Sequence, residues 1–409
     1  MKKLRMLAAG ALVIVLLTGC SMLTGNRANS EAAPQAAGDT VTLTREEYER
    51  FKRYEELDEL LQVVQEYYYQ EPDVSKLIEN AERGLLFGLE DPYSFYYSPE
   101  EYQELWEDDE GKYAGIGIQI SANFDTLLCT VSRVFKGSPA RDVGIHKGDI
   151  IKQVNDLVVD AYNLQDAVDI MRGTVGETVE VTIRRGTETM TFTVPRANIQ
   201  VNRVESVMLE GNIGVVSLFE FAGDCRTAFM DAVNKLMSDG AKGLIVDLRD
   251  NPGGWVDDAV AIADMFLPEV NVYYTENRQG EREYASAQAG QINIPLVVLM
   301  NENSASASEV LAGALQDHGV ATIVGVKSYG KGIIQYVMPV GNNGAGMQLT
   351  VAQYFTPNGN KVHKTGITPN VEAELPEGDN GMYEIGDLND PQLSKAVEVL
   401  KEKMAGSSV

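Results

Sequence analysis

The feature that most constrains the fold is an alternation of short apolar runs and helical stretches beyond Val201. The apolar runs cover residues 213–218, 243–248, 295–300 and 322–326. Helical stretches, such as residues 224–238, separate these runs. Strands that alternate with helices are typical of α/β architecture with a largely parallel sheet. We therefore predict an α/β domain in this part of the chain.

A different pattern precedes this domain, beginning at about Tyr113. Short β-type runs replace helical spacing, and they cover residues 115–120, 127–135, 149–154 and 177–184. Short strands bounded by turn residues predict a small β-rich domain.

Helical patterns dominate the region before the β-rich domain. Thr44 followed by Glu47 fits a capping box, and apolar residues then recur at helical spacing as far as Tyr67. A second helix is predicted over residues 74–89, and Pro99 marks the first turn of a third. These aromatic-rich helices belong either to the core or to a homodimerisation arm, and composition does not decide between the two.

The first twenty residues have the layout of a secretory signal peptide, since basic residues precede an apolar run over residues 6–17. The run is shorter than the roughly 20 apolar residues that span a bilayer. It leads into Leu-Thr-Gly-Cys at 17–20, which resembles the lipobox of bacterial lipoproteins and implies lipidation of Cys20. The alternative is an ordinary cleaved signal. Residues 21–39, rich in small residues, predict a flexible tether.

The charge of the chain excludes one class of partner. A formal net charge of −26 argues against binding to nucleic acid. Beyond Cys20, only Cys129 and Cys225 remain, and their spacing indicates neither a metal cluster nor a disulfide framework. We therefore expect no metal and no cofactor.

The segment richest in chemistry follows the apolar run at 295–300. Residues 301–309 are Asn-Glu-Asn-Ser-Ala-Ser-Ala-Ser-Glu, and a helix is predicted over residues 309–316. The partial positive charge at the N-terminus of that helix would favour an alkoxide or an oxyanion. Three serines, at positions 304, 306 and 308, are therefore candidate nucleophiles. Each could instead be only a helix N-cap.

A serine nucleophile needs a proton acceptor, and the chain has three histidines. His318 lies twelve residues beyond Ser306, about 18 Å along a helix, and cannot reach its hydroxyl. His146 lies in the β-rich domain and His363 on an isolated turn. Lysine can act as the base when burial disfavours its ammonium form. Lys331, between two glycines after an apolar run, is the strongest candidate.

Two nucleotide-binding motifs are excluded. Residues 325–331 fit the GxxxxGK pattern of a phosphate-binding loop, but Gly332 follows where the motif requires Ser or Thr. An exported protein also meets no ATP. In the β-rich domain, Ile120 stands where the third glycine of a dinucleotide fingerprint would be.

The glycines of the β-rich domain indicate a peptide-binding site. The loop Gly115-Ile116-Gly117-Ile118 can present backbone N–H groups to a carboxylate, and the strand that follows offers an edge to a peptide. With Gly-Ser-Pro-Ala at 137–140 and Gly-Asp-Ile at 148–150, the domain resembles the circularly permuted PDZ domain of exported bacterial proteases. The alternative is a spacer with an unused groove.

Three segments together resemble the C-terminal processing peptidases. They are Ser-Ala-Ser-Ala-Ser-Glu at 304–309, Ala-Gly-Ala-Leu-Gln-Asp at 312–317, and Ser-Tyr-Gly-Lys-Gly at 328–332, the last followed by Gln335. The resemblance covers about residues 40–374 and implies a crotonase/ClpP-like α/β protease core. It also implies that Ser306 is the nucleophile, that Lys331 is its base and that Gln335 orients the lysine amine. Members of the family differ over whether an aspartate at the position of Asp317 contributes to catalysis or only to structure, and we favour a structural role.

A second glycine-rich turn, at residues 247–254, follows the predicted strand at 243–248, where sites in α/β sheets tend to form. By itself it indicates only a tight turn. The resemblance implies that the N–H of Gly253 or Gly254 joins that of Ala307 in an oxyanion hole. Arg172 resembles an arginine that couples PDZ occupancy to the active site in some members of the family. The alternative is a surface arginine.

The sequence thus predicts an exported, ATP-independent serine endopeptidase, anchored as a lipoprotein to the outer face of the bacterial cell membrane. It would cleave proteins recognised by their C-terminal tails. The alternative is a catalytically silent PDZ lipoprotein that acts as a substrate adaptor or scaffold. The predicted divisions are a signal peptide (1–20), a tether (21–39), an N-terminal helical region (40–111), a PDZ domain (112–198), a Ser/Lys protease core (199–376), and a C-terminal helix and tail (377–409).

Overall fold

The computed structural model describes residues 42–288, 292–379, 381 and 383–406. The predicted signal peptide, Cys20 and the predicted tether lie outside these residues. The chain divides into two compact units, residues 1–92 and residues 93–409. Within the described residues, no helix has both the length and the apolar character needed to cross a bilayer.

The first unit contains three helices in its described part: α1 Arg45–Lys52, α2 Glu55–Tyr67 and α3 Val74–Phe87. The predicted capping box is present, because Glu47 N donates to Thr44 Oγ1 (3.2 Å) and Thr44 N donates to Glu47 Oε2 (2.8 Å). The helical pattern up to Tyr67 is not one helix. It is interrupted at Arg53, whose N–H donates to Arg50 O, three residues back.

The second unit begins with a short strand and a helix and continues into the β-rich domain. Its elements are β1 Phe95–Tyr97, α4 Pro99–Glu110, β2 Lys112–Gly115, β3 Ile118–Asn123, β4 Leu128–Val134, α5 Pro139–Asp142, β5 Ile150–Val154, β6 Leu157–Val158, α6 Leu164–Met171, β7 Thr178–Arg185, β8 Glu188–Pro195 and β9 Ala197–Gln200.

The β-rich domain is an antiparallel sheet in the order β3-β4-β5-β7-β8, with β6 paired to β5. Alternate residues of β4 and β7 point into a core that α6 closes with Ala167 and Met171. The predicted run at 115–120 is divided, since Ile116 and Gly117 lie between β2 and β3. Strands β2 and β9 pair antiparallel, with Lys112 opposite Gln200, so the chain enters and leaves the domain side by side.

The rest of the unit alternates strands and helices. Its elements are β10 Val204–Leu209, β11 Ile213–Leu218, α7 Cys225–Ser238, β12 Gly243–Asp247, α8 Val256–Asp264, β13 Asn271–Asn277, β14 Arg282–Ser286, β15 Leu296–Met300, α9 Ala307–Asp317, β16 Ala321–Gly325, β17 Ile333–Pro339, β18 Gly346–Phe355, β19 Val371–Glu372 and α10 Pro391–Gly406.

The central sheet has the order β10-β11-β12-β15-β16-β19, and its pairs are parallel except for β10 with β11. The predicted largely parallel sheet is therefore present. Helices α7, α8 and α9 pack on one face and α10 packs on the other. Because both faces are covered, the inner strands are continuous apolar runs.

A second sheet was not predicted. It is antiparallel, with the order β1-β18-β13-β14, and β17 pairs with β18. Strand β18 is mostly half-buried and carries polar residues such as Gln348 and Thr350. It therefore lacks the continuous apolar pattern of the central strands. Cys129 and Cys225 are both buried and have free thiols.

Candidate active site

Ser306 lies between β15 and α9, at the carboxyl edge of the central sheet, where it is the N-cap of α9. Its backbone has φ 56° and ψ −116°, a conformation that costs a non-glycine residue about 1–3 kcal/mol. Ser306 is partly exposed, whereas Ser304 and Ser308 are fully buried. The hydroxyls of those two donate to Leu248 O (2.8 Å) and Asn251 O (3.0 Å). The neighbouring serines therefore brace the loop.

Asn251 connects the glycine-rich turn after β12 to the serine loop, which is residues 301–306 between β15 and α9. Its side chain donates to Leu218 O (2.7 Å) and accepts from Gly253 N (2.9 Å). Its carbonyl accepts from Ala305 N (3.0 Å). Asn251 is fully buried, so these hydrogen bonds are shielded from water.

Gly253 lies directly against the serine. A Cβ at Gly253 would come within 2.7 Å of Ser306 Cβ and 2.9 Å of Ala307 N, so only glycine fits. The Gly253 N–H donates to Asn251 in this conformation. Among the described residues, the N–H groups of Gly254 and Ala307 have no hydrogen-bond acceptor. Both are available to a bound oxyanion.

The buried carboxylate of Glu309 joins the serine loop to the lysine loop, which is residues 326–332 between β16 and β17. Its Oε2 accepts from Ser306 N and from Lys331 N, each at 2.9 Å. Its Oε1 accepts from Ser328 Oγ (2.5 Å) and from Gly330 N (2.7 Å). Burial raises the pKa of Glu309, and these hydrogen bonds oppose that effect. One side chain thus holds both candidate catalytic residues by their backbones.

The second sheet also reaches the site. Tyr354 of β18 is buried, and its hydroxyl donates to Ser306 O (3.1 Å). Burial raises the pKa of Tyr354 well above its ordinary value. Gln335 lies on β17, where its Nε2 donates to Thr350 Oγ1 of β18 (3.2 Å). Lys331 precedes β17, and its Nζ lies 4.8 Å from the ring centroid of Tyr93.

His318 and Asp317 lie at the opposite end of α9 from Ser306. His318 Nε2 is 2.7 Å from Asn271 O. Asp317 Oδ2 accepts from Asn358 N (2.9 Å), which fixes the turn after β18. Both contacts connect the C-terminal end of α9 to other segments of the α/β domain.

A cavity of about 390 Å³ lies between the β-rich domain and the α/β domain, which we call the core. Ile116, Gly117 and Ile118 line it from the domain, and Phe219 and Pro252 line it from the core. Three arginines also line the cavity, namely Arg133, Arg172 and Arg203. Each of these arginines is paired with a carboxylate, of Glu205, Asp108 and Glu220 respectively. The predicted peptide-binding loop therefore faces a space that contains these ion pairs and reaches Pro252, the residue before Gly253. Gly115, which ends β2, pairs with Ala197.

Sequence reasoning did not single out Asn251, Glu309, Tyr93 or Tyr354. Only Glu309 had a local signal, because Ser306 and Glu309 have the spacing of a capping box. The contacts of Tyr93 and Tyr354, and those of Asn251 with Leu218 and Ala305, join residues that are distant along the chain.

Comparisons with known proteins agree with this architecture. The family model for peptidase family S41 matches residues 212–373, and a PDZ domain model matches residues 130–185. The model of the activating protease CtpB N-terminal domain matches residues 14–101.

Proteins of similar sequence cover most of the chain. The carboxy-terminal-processing protease of Bartonella bacilliformis is 36% identical over 375 residues, which cover 89% of this chain and 85% of that protein. The carboxy-terminal processing protease CtpA of Bacillus subtilis is 34% identical over 328 residues, covering 80% and 70% respectively. The solved structure of the photosystem II D1 C-terminal processing protease has a TM-score of 0.55 at 29% identity, covering 81% of this chain and 94% of that one.

The fold and these matches define a mixed α/β protease with a PDZ domain. The chain belongs to peptidase family S41, the carboxyl-terminal-processing serine proteases.

Proposed function

We propose that this protein is an ATP-independent endopeptidase in which Ser306 is the nucleophile and Lys331 is the general base. The lysine amine takes the hydroxyl proton as Ser306 Oγ attacks the peptide carbonyl, and then passes it to the leaving amine. Water hydrolyses the resulting acyl-enzyme by the same route. Gln335 orients the amine. No cofactor takes part.

The Glu309 carboxylate carries this proposal. It binds Ser306 N and Lys331 N through one oxygen atom, so the two loops have a fixed register. The strained backbone of Ser306 supports the same role, because such strain is concentrated at functional sites.

The oxyanion of the tetrahedral intermediate would bind to Ala307 N–H together with Gly253 or Gly254. Gly254 N–H is available in this conformation, whereas Gly253 N–H must first leave Asn251. Loss of one such donor typically costs about 10²-fold or more in rate.

Cleavage assays with casein and with a tail peptide test the proposed catalytic dyad of Ser306 and Lys331. We expect Ser306→Ala and Lys331→Ala to lower kcat by at least about 10³-fold, because the residues act as a unit. Ser308→Ala is the matched control, since its buried hydroxyl serves only the loop. The dyad is wrong if either dyad variant cleaves as fast as the wild type. A wild type that binds tails without cleaving them would favour the alternative, a silent adaptor or scaffold.

Substrate tails would bind in the cavity beside Ile116, Gly117 and Ile118. A free C-terminal carboxylate suits this space because the loop at residues 115–118 can present backbone N–H groups, and because three arginines line the cavity beside that loop. We expect the Ser306→Ala protein to bind a free-acid peptide at least about tenfold more tightly than its C-terminal amide. Equal affinities would argue against carboxylate recognition.

Export and lipidation at Cys20, with anchoring to the outer face of the membrane, complete the proposal, as does a homodimer through the N-terminal helices. The signal pattern at residues 1–20 supports the anchor. Cys20→Ser should move the protein from the membrane fraction to the soluble fraction of cells. The crotonase/ClpP-like core and the circular permutation of the PDZ domain stay predictions.

A further inference from the structure

Lys331 contacts an aromatic ring from a distant part of the chain. Its Nζ lies 4.8 Å from the centroid of Tyr93. The electron-rich face of a tyrosine ring attracts an ammonium group at this distance, and it attracts a neutral amine far less. The contact therefore distinguishes between the two protonation states through which a lysine base must pass.

Tyr93 is held in place from both of its ends. Its hydroxyl lies 3.3 Å from that of Tyr329, two residues before the lysine. Its carbonyl accepts from Gln348 Nε2 of β18 (3.0 Å). The ring thus has a fixed position relative to both the lysine loop and the second sheet.

The residue after Tyr93 extends this attachment. Ser94 is buried, and its Oγ accepts from Thr350 N (2.9 Å). The Oγ1 of Thr350 accepts from Gln335, the residue proposed to orient the lysine amine. The ring and the glutamine therefore share one strand as their support.

We propose that Tyr93 is a positioning residue that holds the protonated amine of Lys331. The inference rests on the proposed role of Lys331 as general base. When Ser306 attacks, its proton passes to the lysine, and the ring stabilises the ammonium that forms. When the proton passes to the leaving amine, the neutral lysine is restored. The ring therefore favours proton uptake during acylation and sets the pH below which the resting lysine is no longer a base.

The pH profile of peptide cleavage by the full chain tests this role. Tyr93→Leu removes the ring face, so the acid limb of kcat/KM should move about 0.5–1 pH unit lower, with KM unchanged. The plateau kcat should fall about 2- to 10-fold, because proton uptake is less favoured. Tyr93→Phe keeps the ring and should keep the wild-type acid limb. An acid limb that stays in place or moves higher in Tyr93→Leu would overturn the inference.

A second replacement keeps the test decisive if Tyr93→Leu folds poorly. Tyr93→pentafluorophenylalanine keeps an aromatic ring but reverses the charge distribution of its face, so the acid limb should again move to lower pH. Tyr329→Phe removes the exposed contact between the two hydroxyls but keeps the ring face and the contact of Gln348 with the Tyr93 carbonyl, so the acid limb should stay at the wild-type pH. If Lys331→Ala retains activity, the proposed function fails. If Lys331→Ala is inactive and neither Tyr93 replacement moves the profile, only this inference fails.

Discussion

At the scale of single residues, Glu309 is the side chain that joins the serine loop to the lysine loop. Its carboxylate accepts four hydrogen bonds, three of them from backbone N–H groups. The three backbone donors cannot be removed by a side-chain substitution, so Glu309 is the residue whose replacement breaks all four contacts. A side chain with two acceptor oxygens can accept from all four donors at once.

Glu309→Gln should therefore reduce activity while preserving the fold. The amide has the shape of the carboxylate, but its NH₂ group would face N–H or O–H donors. Because those hydrogen bonds would be lost, the serine loop and the lysine loop would shift relative to each other. Displacements of about 1 Å can cost 10²-fold in rate, so we expect kcat/KM to fall at least about tenfold. The tail-peptide assay measures this, with near-UV circular dichroism as the check on folding. Glu302→Gln, on the exposed part of the same loop, should leave activity unchanged.

The raised pKa of Glu309 predicts a pH-dependent stability. Because its folded-state pKa exceeds the unfolded value, the stability that this group contributes is complete below the unfolded pKa. That contribution is lost as the pH rises through the folded pKa. The free energy of unfolding of the wild type, relative to that of Glu309→Gln, should therefore decrease as the pH rises above about 4. Urea unfolding between pH 4 and pH 8 measures the difference, and an increase with pH would contradict the prediction.

At the scale of elements, helix α4 connects the PDZ domain with the glycine-rich turn. Asp109 Oδ1 accepts from Trp255 Nε1 (2.6 Å) and from Gly223 N (3.0 Å). The indole of Trp106 stacks on that of Trp255 at 5.7 Å. Trp255 directly follows Gly254, so α4 fixes the end of the turn that carries the proposed oxyanion donors.

Two adjacent aspartates on α4 should differ sharply when they are removed. Asp109→Ala leaves two donors without this acceptor and should lower the free energy of unfolding by about 2–4 kcal/mol. Asp108→Ala breaks only an exposed ion pair with Arg172 (3.2 Å) and should cost less than about 1 kcal/mol. Urea unfolding of both variants makes the comparison. Equal losses would show that the Asp109 contacts add little.

The Asp108 variant also tests the predicted coupling through Arg172. The guanidinium of Arg172 lies 5.1 Å from the ring centroid of Tyr113, which lines the cavity between the PDZ domain and the core. If the ion pair transmits occupancy, Asp108→Ala should change the cleavage of long-tailed substrates by a factor of two or more while leaving that of short peptides unchanged. Parallel changes for both substrates would favour a surface arginine.

The elements that the sequence predicted well are those with an unambiguous pattern. Strands β11, β12 and β15 are buried on both faces, so their apolar runs need no tertiary information. The antiparallel sheet was missed because β18 is half-buried and its pairing with β1 and β13 joins segments that are far apart in sequence. The serine, the lysine and the glycines lie in recognisable motifs, whereas Tyr93 reaches the lysine only through that sheet.

At the scale of the whole molecule, the C-terminal helix completes the second face of the central sheet. Leu393, Ala396 and Leu400 of α10 pack against the inner strands. The mostly buried guanidinium of Arg249, in the glycine-rich turn, pairs with Asp247 and with Asp390, each at 2.7 Å. The C-terminal helix is therefore part of the core.

A pair of neighbouring substitutions measures what the helix contributes. Leu400→Ala removes a fully buried side chain and should lower the free energy of unfolding by about 2–5 kcal/mol. Lys401→Ala alters an exposed position and should remain within about 0.5 kcal/mol of the wild type. Urea unfolding monitored by tryptophan fluorescence compares them. A small loss for Leu400→Ala would mean that α10 detaches readily.

The side-by-side entry and exit of the chain at the PDZ domain has an evolutionary consequence. Lys112 and Gln200 are paired, and Val201 N donates to Gly111 O (2.9 Å). The segment between these positions can be exchanged for another domain whose two ends are adjacent, and the backbone of the protease core need not change. A lineage built on this plan can acquire new recognition modules by recombination at these two adjacent points and inherit its chemistry unchanged.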